Sequence, residues 1–374
     1  MTALYIHIPF CKSRCIYCDF FSTTRLDRRE AYTAALCREL QDRHTHDTIP
    51  TIYVGGGTPS QLDTRQIASI AETINNNYNV AHDAEQTIEA NPSDITLPYA
   101  THLHSLGFNR ISIGIQTFND TLLGIIHRRH DSATALQAFN LARQAGFDNI
   151  SIDLIFGLPT QTIEQWDTDI TTALNLHPQH ISAYSLMYEE GTPLYTMLMN
   201  GEIEETDEEL SLNMYQHLTD RLTAAGYIHY EISNFALPNY HSRHNSSYWN
   251  NTPYIGIGAG AHSYDGTTRR WNINDIDSYI DSTNHHHTTH QSETLSTTQR
   301  INETIMTRLR TAEGLNLSTF GNTFGHDIKT YVEKQAQQYI DSQKLQIDQP
   351  SNTLRLTRQG IYTSNDIIAT LFVP

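Results

Sequence analysis

The sequence predicts an α/β fold: a mostly parallel sheet wrapped by helices, followed by a small C-terminal helical, winged-helix-like domain. Three observations predict it. Short apolar, β-rich runs alternate with helical stretches. Their spacing is about thirty residues, the size of one βα unit. Beyond residue 297 the pattern changes to helices around a single hairpin.

The strands are expected at residues 4–8, 51–54, 87–90, 110–115, 149–155 and 180–185. Helical patterns fill the intervals at 29–43, 64–76, 97–106, 132–145 and 163–176, and a sixth follows at 207–225. Six successive βα units imply a sheet that is either open or curled toward a barrel. Residues 230–265 are irregular and rich in aromatics, Asn, Gly and His. Residues 282–298 are polar, carry the run His285-His286-His287, and read as a solvated linker. In the last block Ile301, Ile305 and Leu309 recur at helical spacing. A second helix is expected at 331–340, a hairpin around 348–352, and a third helix at 357–371. The chain thus divides into 1–230, an extension 231–296, and a C-terminal unit 297–374.

Composition excludes some roles. The chain has 374 residues and a formal charge of −17. Duplex binding needs a basic footprint, so no nucleic-acid partner is expected. Docking on an anionic lipid surface is disfavoured for the same reason. No apolar run approaches the roughly 18 residues of a membrane span. The first residues show neither a basic region nor a signal-type apolar run, so a cytoplasmic location is expected.

Four cysteines occur, and three lie close together in Cys11-Lys-Ser-Arg-Cys15-Ile-Tyr-Cys18. In a reducing compartment such a cluster reads as metal-binding or redox chemistry. The loop directly follows the first strand. Three thiolates on one short loop hold three corners of a four-iron cubane and leave one iron open. Zinc is the alternative and requires a fourth ligand such as His7, Asp19 or Cys37. Cys37, in mid-helix, otherwise reads as a small buried hydrophobe.

Further signals sit at the other strand ends. Gly55-Gly56-Gly57-Thr58-Pro59 follows strand two, where glycines let the backbone approach a ligand closely. Glu89 closes strand three and Gln116 closes strand four. Asp153 lies inside an otherwise apolar strand, where an unpaired carboxylate is costly. In a parallel sheet these positions share one face, the face that binds ligands.

The CxxxCxxC spacing, with Tyr17 before the last cysteine, resembles the radical SAM superfamily. The resemblance implies a partial (β/α)6 barrel, a [4Fe–4S] cluster on Cys11, Cys15 and Cys18, and S-adenosylmethionine (SAM) on its open iron. Tyr5, Tyr17, Gly56, Gly57, Thr58, Glu89, Gln116, Arg128 and Asp153 match positions around that cofactor. The stretches Tyr5-Ile-His-Ile-Pro-Phe-Cys11, Arg110-Ile-Ser-Ile-Gly-Ile-Gln116-Thr-Phe118 and Asp153-Leu-Ile-Phe-Gly-Leu-Pro159 look like the oxygen-independent coproporphyrinogen III oxidase group. The resemblance covers nearly the whole chain.

Within that group two subgroups compete, the oxidase and the HemW-type heme chaperones. Phe20 stands where the oxidase has a further cysteine. Only four residues precede Tyr5, where the oxidase carries a substantial extension. His244-Asn245-Ser246-Ser247-Tyr248-Trp249 matches the HNxxYW motif of the chaperones. The resemblance therefore implies heme as a third ligand, with His244, Tyr248 and Trp249 as its candidate contacts. Imidazole is a common axial ligand, and Tyr and Trp offer flat faces to a macrocycle. Heme-accepting proteins are the implied partners, respiratory membrane proteins among them, with peripheral recruitment to the membrane through those partners. Gly256-Ile-Gly-Ala-Gly-Ala-His262-Ser263 also fits the chaperone pattern and brings His262 near the cofactor or against its surroundings. The rivals are an oxidative decarboxylase, another radical SAM enzyme, and an iron-sensing winged-helix regulator. Whether SAM is cleaved, which group ligates heme and the oligomeric state stay open at this level.

Overall fold

Period-two alternation decides which side of each strand is buried under helices. On β1 (Ala3–Ile8), Leu4, Ile6 and Ile8 are fully buried in the main core. The same core takes Ile52 and Val54 from β2 (Thr48–Gly56) and Ile88 from β3 (Asn79–Ala90). It takes Ile111, Ile113 and Ile115 from β4 (Arg110–Gln116), Ile152 and Leu154 from β5 (Asn149–Phe156), and Ile181 from β6 (His180–Ser185). Each such side chain contributes roughly 1.5–3 kcal/mol by burial. The intervening residues are mostly polar and face the other way.

The computed structural model describes residues 1–374. Strands β1 to β6 pair in sequence order, all parallel. The crossovers carry α1 (Arg29–Asp42), α2 (Thr64–Asn77), α3 (Leu97–Ser105), α4 (Asp120–Ile125), α5 (Ser132–Gln144) and α6 (Ile163–Leu176). Two of these helices start with reciprocal caps, Asp63 with Gln66 and Thr162 with Gln165. After β6 come α7 (Pro193–Met199) and α8 (Glu208–Ala224).

The irregular stretch is more ordered than its composition suggests. β7 (Ile228–Glu231) and β8 (Asn234–Ala236) extend the β6 edge antiparallel. A short helix α9 (Arg243–Trp249) carries the His244 motif. β9 (Tyr254–Ile257) pairs parallel with β1 at the opposite edge, and β10 (His262–Tyr264) and β11 (Thr268–Asn272) follow antiparallel. The expected linker at 282–298 is a correction. It begins in α10 (Ile276–Asn284) and contains β12 (His290–Thr294), which pairs with β11. All five residues of β12 are exposed, so no apolar alternation announces it. The result is one sheet of 12 strands.

Residues beyond 297 form a second core of 13 buried residues, including Ile301, Ile305, Leu309, Val332 and Leu371. Three short strands, Leu315–Asn316, Leu345–Asp348 and Thr353–Leu356, make its sheet. The expected last helix is divided into Arg358–Ile361 and Ser364–Leu371, because Thr363 leaves helical geometry. No helix is long and apolar enough to cross a membrane.

Candidate functional site

The inner face of the parallel strands borders a cavity of about 1440 Å³. Its walls take Tyr53 from β2, Glu89 from β3, Arg110, Ser112 and Gly114 from β4, Asp153 from β5, and Ser182 and Tyr184 from β6. These are the positions that alternate with the buried aliphatics. The loop after β1 supplies Cys11, Cys15, Tyr17 and Cys18, and the loop after β2 supplies Gly56, Gly57 and Thr58.

The four cysteines form no disulfide. Cys11 Sγ lies 3.5 Å from Thr58 Oγ1, and Arg128 Nη1 donates to Cys15 Sγ at 3.3 Å. Burial pushes the Cys18 thiol up to about 11. The Thr58 and Arg128 groups are the donors that stabilise thiolate sulfur. Gly57 explains the glycine run. A Cβ there would stand 2.9 Å from the Pro9 carbonyl carbon and 3.1 Å from Cys11 Sγ. Gly56 has φ +115°, and its Cβ would stand 2.5 Å from the His7 ring. Of the three expected zinc partners, Asp19 borders the cavity beside the cysteines, while His7 and Cys37 are engaged elsewhere. His7 Nδ1 pairs with the Tyr5 hydroxyl at 2.9 Å and its Nε2 with the Phe21 carbonyl at 3.0 Å. The Cys37 thiol donates to the Ser69 carbonyl at 3.7 Å. No three or more His, Cys, Asp or Glu converge on a single-ion site. A cubane fits this arrangement, since each thiolate then takes a separate iron.

Glu89 accepts from the Tyr53 hydroxyl at 2.7 Å and from the Gly56 N–H at 3.1 Å. Burial pushes its carboxyl up to about 7 despite the Tyr53 bond. Burial also raises Asp153, opposed by the Arg110 charge; Ser112 donates to Asp153 at 3.2 Å. Gln116 has φ 73°, at a register shift between β4 and β5. Such strain concentrates at functional positions. Here it brings the Gln116 amide beside Gly114, where a Cβ would meet it at 3.0 Å.

On α9, Tyr248 and Trp249 line the cavity. His244 does not: it is 1% exposed and lies behind Tyr248. Its Nδ1 is 3.0 Å from Thr51 Oγ1 and its Nε2 is 3.0 Å from the Tyr248 hydroxyl. Burial, then the Arg110 charge, lowers its pKa to about 3, so the ring is neutral. Glu85 fixes the helix start by accepting the Arg243 and His244 N–H groups, each at 2.9 Å. Tyr5 also lies outside the cavity walls, bonded to His7. His262 is exposed and stacks on Trp271 at 5.9 Å. Of the histidine run, exposed His286 faces Asp42 at 3.1 Å.

Sequence reasoning missed Arg110, Tyr53, Glu85 and the apolar rim. Phe20, Tyr184 and Met187 border the cavity and are 64%, 43% and 63% exposed. Arg110 opens a strand, a place where charge is ordinarily solvated. Only its alternation with Ile111 and Ile113 signals the inner face.

Residues 5–173 match the radical SAM superfamily and residues 295–363 match the HemN C-terminal domain. The fold and the cysteine loop are those of a radical SAM protein, a domain that implies a [4Fe–4S] cluster and SAM. The heme chaperone HemW of Bacillus subtilis (strain 168) is 35% identical over 376 residues, covering 98% of each chain. That of Lactococcus lactis (strain IL1403) is 34% identical over 97% of this chain and 95% of its own. The chain belongs to the heme chaperone HemW family. Coproporphyrinogen III oxidase (HemN) from Escherichia coli shares the fold, with a TM-score of 0.87 at 23% identity over 100% of this chain and 90% of that one.

Proposed function

We propose that this chain binds a [4Fe–4S] cluster, SAM and heme in one cavity and delivers the heme to hemoproteins. The single observation that carries this reading is the shared wall. The cysteine loop, the glycine loop, and the Tyr248–Trp249 face all border the same space. At about 1440 Å³ it exceeds the roughly 300–1,000 Å³ of a one-ligand site.

Cys11, Cys15 and Cys18 would hold the cluster, which supplies one-electron chemistry when bound. Thr58 and Arg128 hydrogen-bond to its thiolates. Gly56, Gly57 and Thr58 present backbone to SAM, with Glu89 as acceptor for hydroxyls and Gln116 and Asp153 beside it. Tyr248 and Trp249, with Phe20, Tyr184 and Met187 at the rim, offer aromatic and apolar surface to a macrocycle. His244 supports this reading as the group that positions Tyr248. The exposed rim suits release to an acceptor, because a ligand left partly uncovered can be reached by a second protein.

The test is an anaerobic hemin titration of reconstituted protein, followed by transfer to an apo-hemoprotein. Saturable uptake with transfer is the expected result. Absence of specific uptake, with turnover of coproporphyrinogen, would replace the chaperone reading with the oxidase.

A further inference from the structure

Arg110 is the one cavity-wall cation whose side chain no other group engages. It begins β4 and is 1% exposed. Its guanidinium makes no hydrogen bond and no ion pair, and its Nε is buried without a partner. Glu89 and Asp153, which share the cavity wall with it, accept their hydrogen bonds from other groups: Glu89 from Tyr53 and Gly56, Asp153 from Ser112. The adjoining imidazoles give no counter-charge. His180 bonds Ser151 and Tyr230, and His244 bonds Thr51 and Tyr248. Arg128, by contrast, is held by Cys15 and the Gly114 carbonyl.

Asp153 and Glu89 feel the Arg110 charge, yet a buried guanidinium whose donors meet no acceptor is costly, and its fork matches a carboxylate. We propose that Arg110 binds a carboxylate of the ligand held in this cavity. The proposal rests on the cofactor reading above, and both implied small molecules carry the group: SAM has an amino-acid carboxylate, and heme has propionates. Arg110 lies below the strand ends, beyond the positions that the family resemblance marks. It would fix how deep the ligand sits.

The experiment measures affinities of the full reconstituted chain for matched probe pairs, hemin against its dimethyl ester and SAM against decarboxylated SAM. Wild type, Arg110→Met and Arg110→Lys are compared. Arg110→Met should weaken the acid of one pair by about ten- to a hundredfold and leave its neutral partner unchanged. The affected pair identifies the carboxylate. Arg110→Lys, which keeps the charge and loses the fork, should fall between them. Should Arg110→Met not fold, the wild type's preference for acid over neutral partner, reduced in Arg110→Lys, carries the same information. Equal losses on acid and neutral probes, or none, would overturn the proposal and leave Arg110 a counter-charge for Asp153 and Glu89. A wild type that binds neither hemin nor SAM would overturn the cofactor reading itself, a different result from binding insensitive to Arg110.

Discussion

His244 stands behind Tyr248, its Nε2 3.0 Å from the phenolic oxygen. Tyr248 meets the cavity and His244 does not. The imidazole therefore holds the phenol at the cavity wall, and under the proposed function it would reach a ligand only through that phenol. Tyr248→Phe should weaken hemin binding by about tenfold, the value of one lost polar contact. His244→Ala should instead lower stability by about 2–4 kcal/mol, because Thr51 and Tyr248 lose a shared buried partner. Denaturant melts beside hemin titrations separate the two effects. A His244→Ala protein of wild-type stability without heme binding would make the imidazole itself the ligand.

Glu85 caps α9 with both carboxylate oxygens. It lies outside the cavity wall, yet it sets the position of Tyr248 and Trp249. Glu85→Ala should cost about 2 kcal/mol and weaken hemin binding, while cluster content stays at the wild-type level. Iron analysis and titration on the same preparation check this.

Gly57→Ala pushes a methyl against Pro9 and Cys11. The expected outcome is a folded chain, by circular dichroism, that retains less iron after anaerobic reconstitution. Replacing Cys11, Cys15 and Cys18 together by Ala should abolish iron retention entirely. Unchanged iron in the triple variant would sink the cluster assignment.

Glu89 gives a pH signature. Its ordinary value is 4.5, and burial raises it to about 7 in the fold. The folded state thus holds a proton that the unfolded chain releases, so stability falls as pH rises through that window. The contribution approaches about 3 kcal/mol. Glu89→Gln removes this dependence. The ligand-free variant should gain on wild type between about pH 5 and 8, and its affinity for SAM should drop. Melts across pH and SAM calorimetry test both halves, and parallel pH profiles would refute the assignment of the raised group to Glu89.

Much of the site was legible because strand alternation and strand order are local signals. Asp153 between Ile152 and Leu154, and Glu89 after Ile88, mark the inner face and the ligand-binding end of the sheet. The cysteine loop, the Gly56–Gly57 turn and Asp153 all meet at one cavity as that geometry requires. What escaped depends on distant parts of the chain. His244 is buried because Thr51 on β2 meets it across 193 positions of sequence. β12 is stabilised by its ladder to β11 and has no apolar face of its own. Glu85 carries no local signal, because the two N–H groups it accepts belong to α9, 158 and 159 positions further along the chain.

The alternation within each strand has a consequence for how such a chain tolerates change over generations. Leu4, Ile6, Ile111, Ile113, Ile152 and Leu154 hold the architecture from the helix side. Tyr53, Glu89, Arg110 and Asp153 line the cavity from the other. Neighbouring codons therefore answer to separate demands. Substitutions on the lumen side can alter the cavity while the aliphatic scaffold persists, and their stability cost comes through buried charge rather than through lost packing.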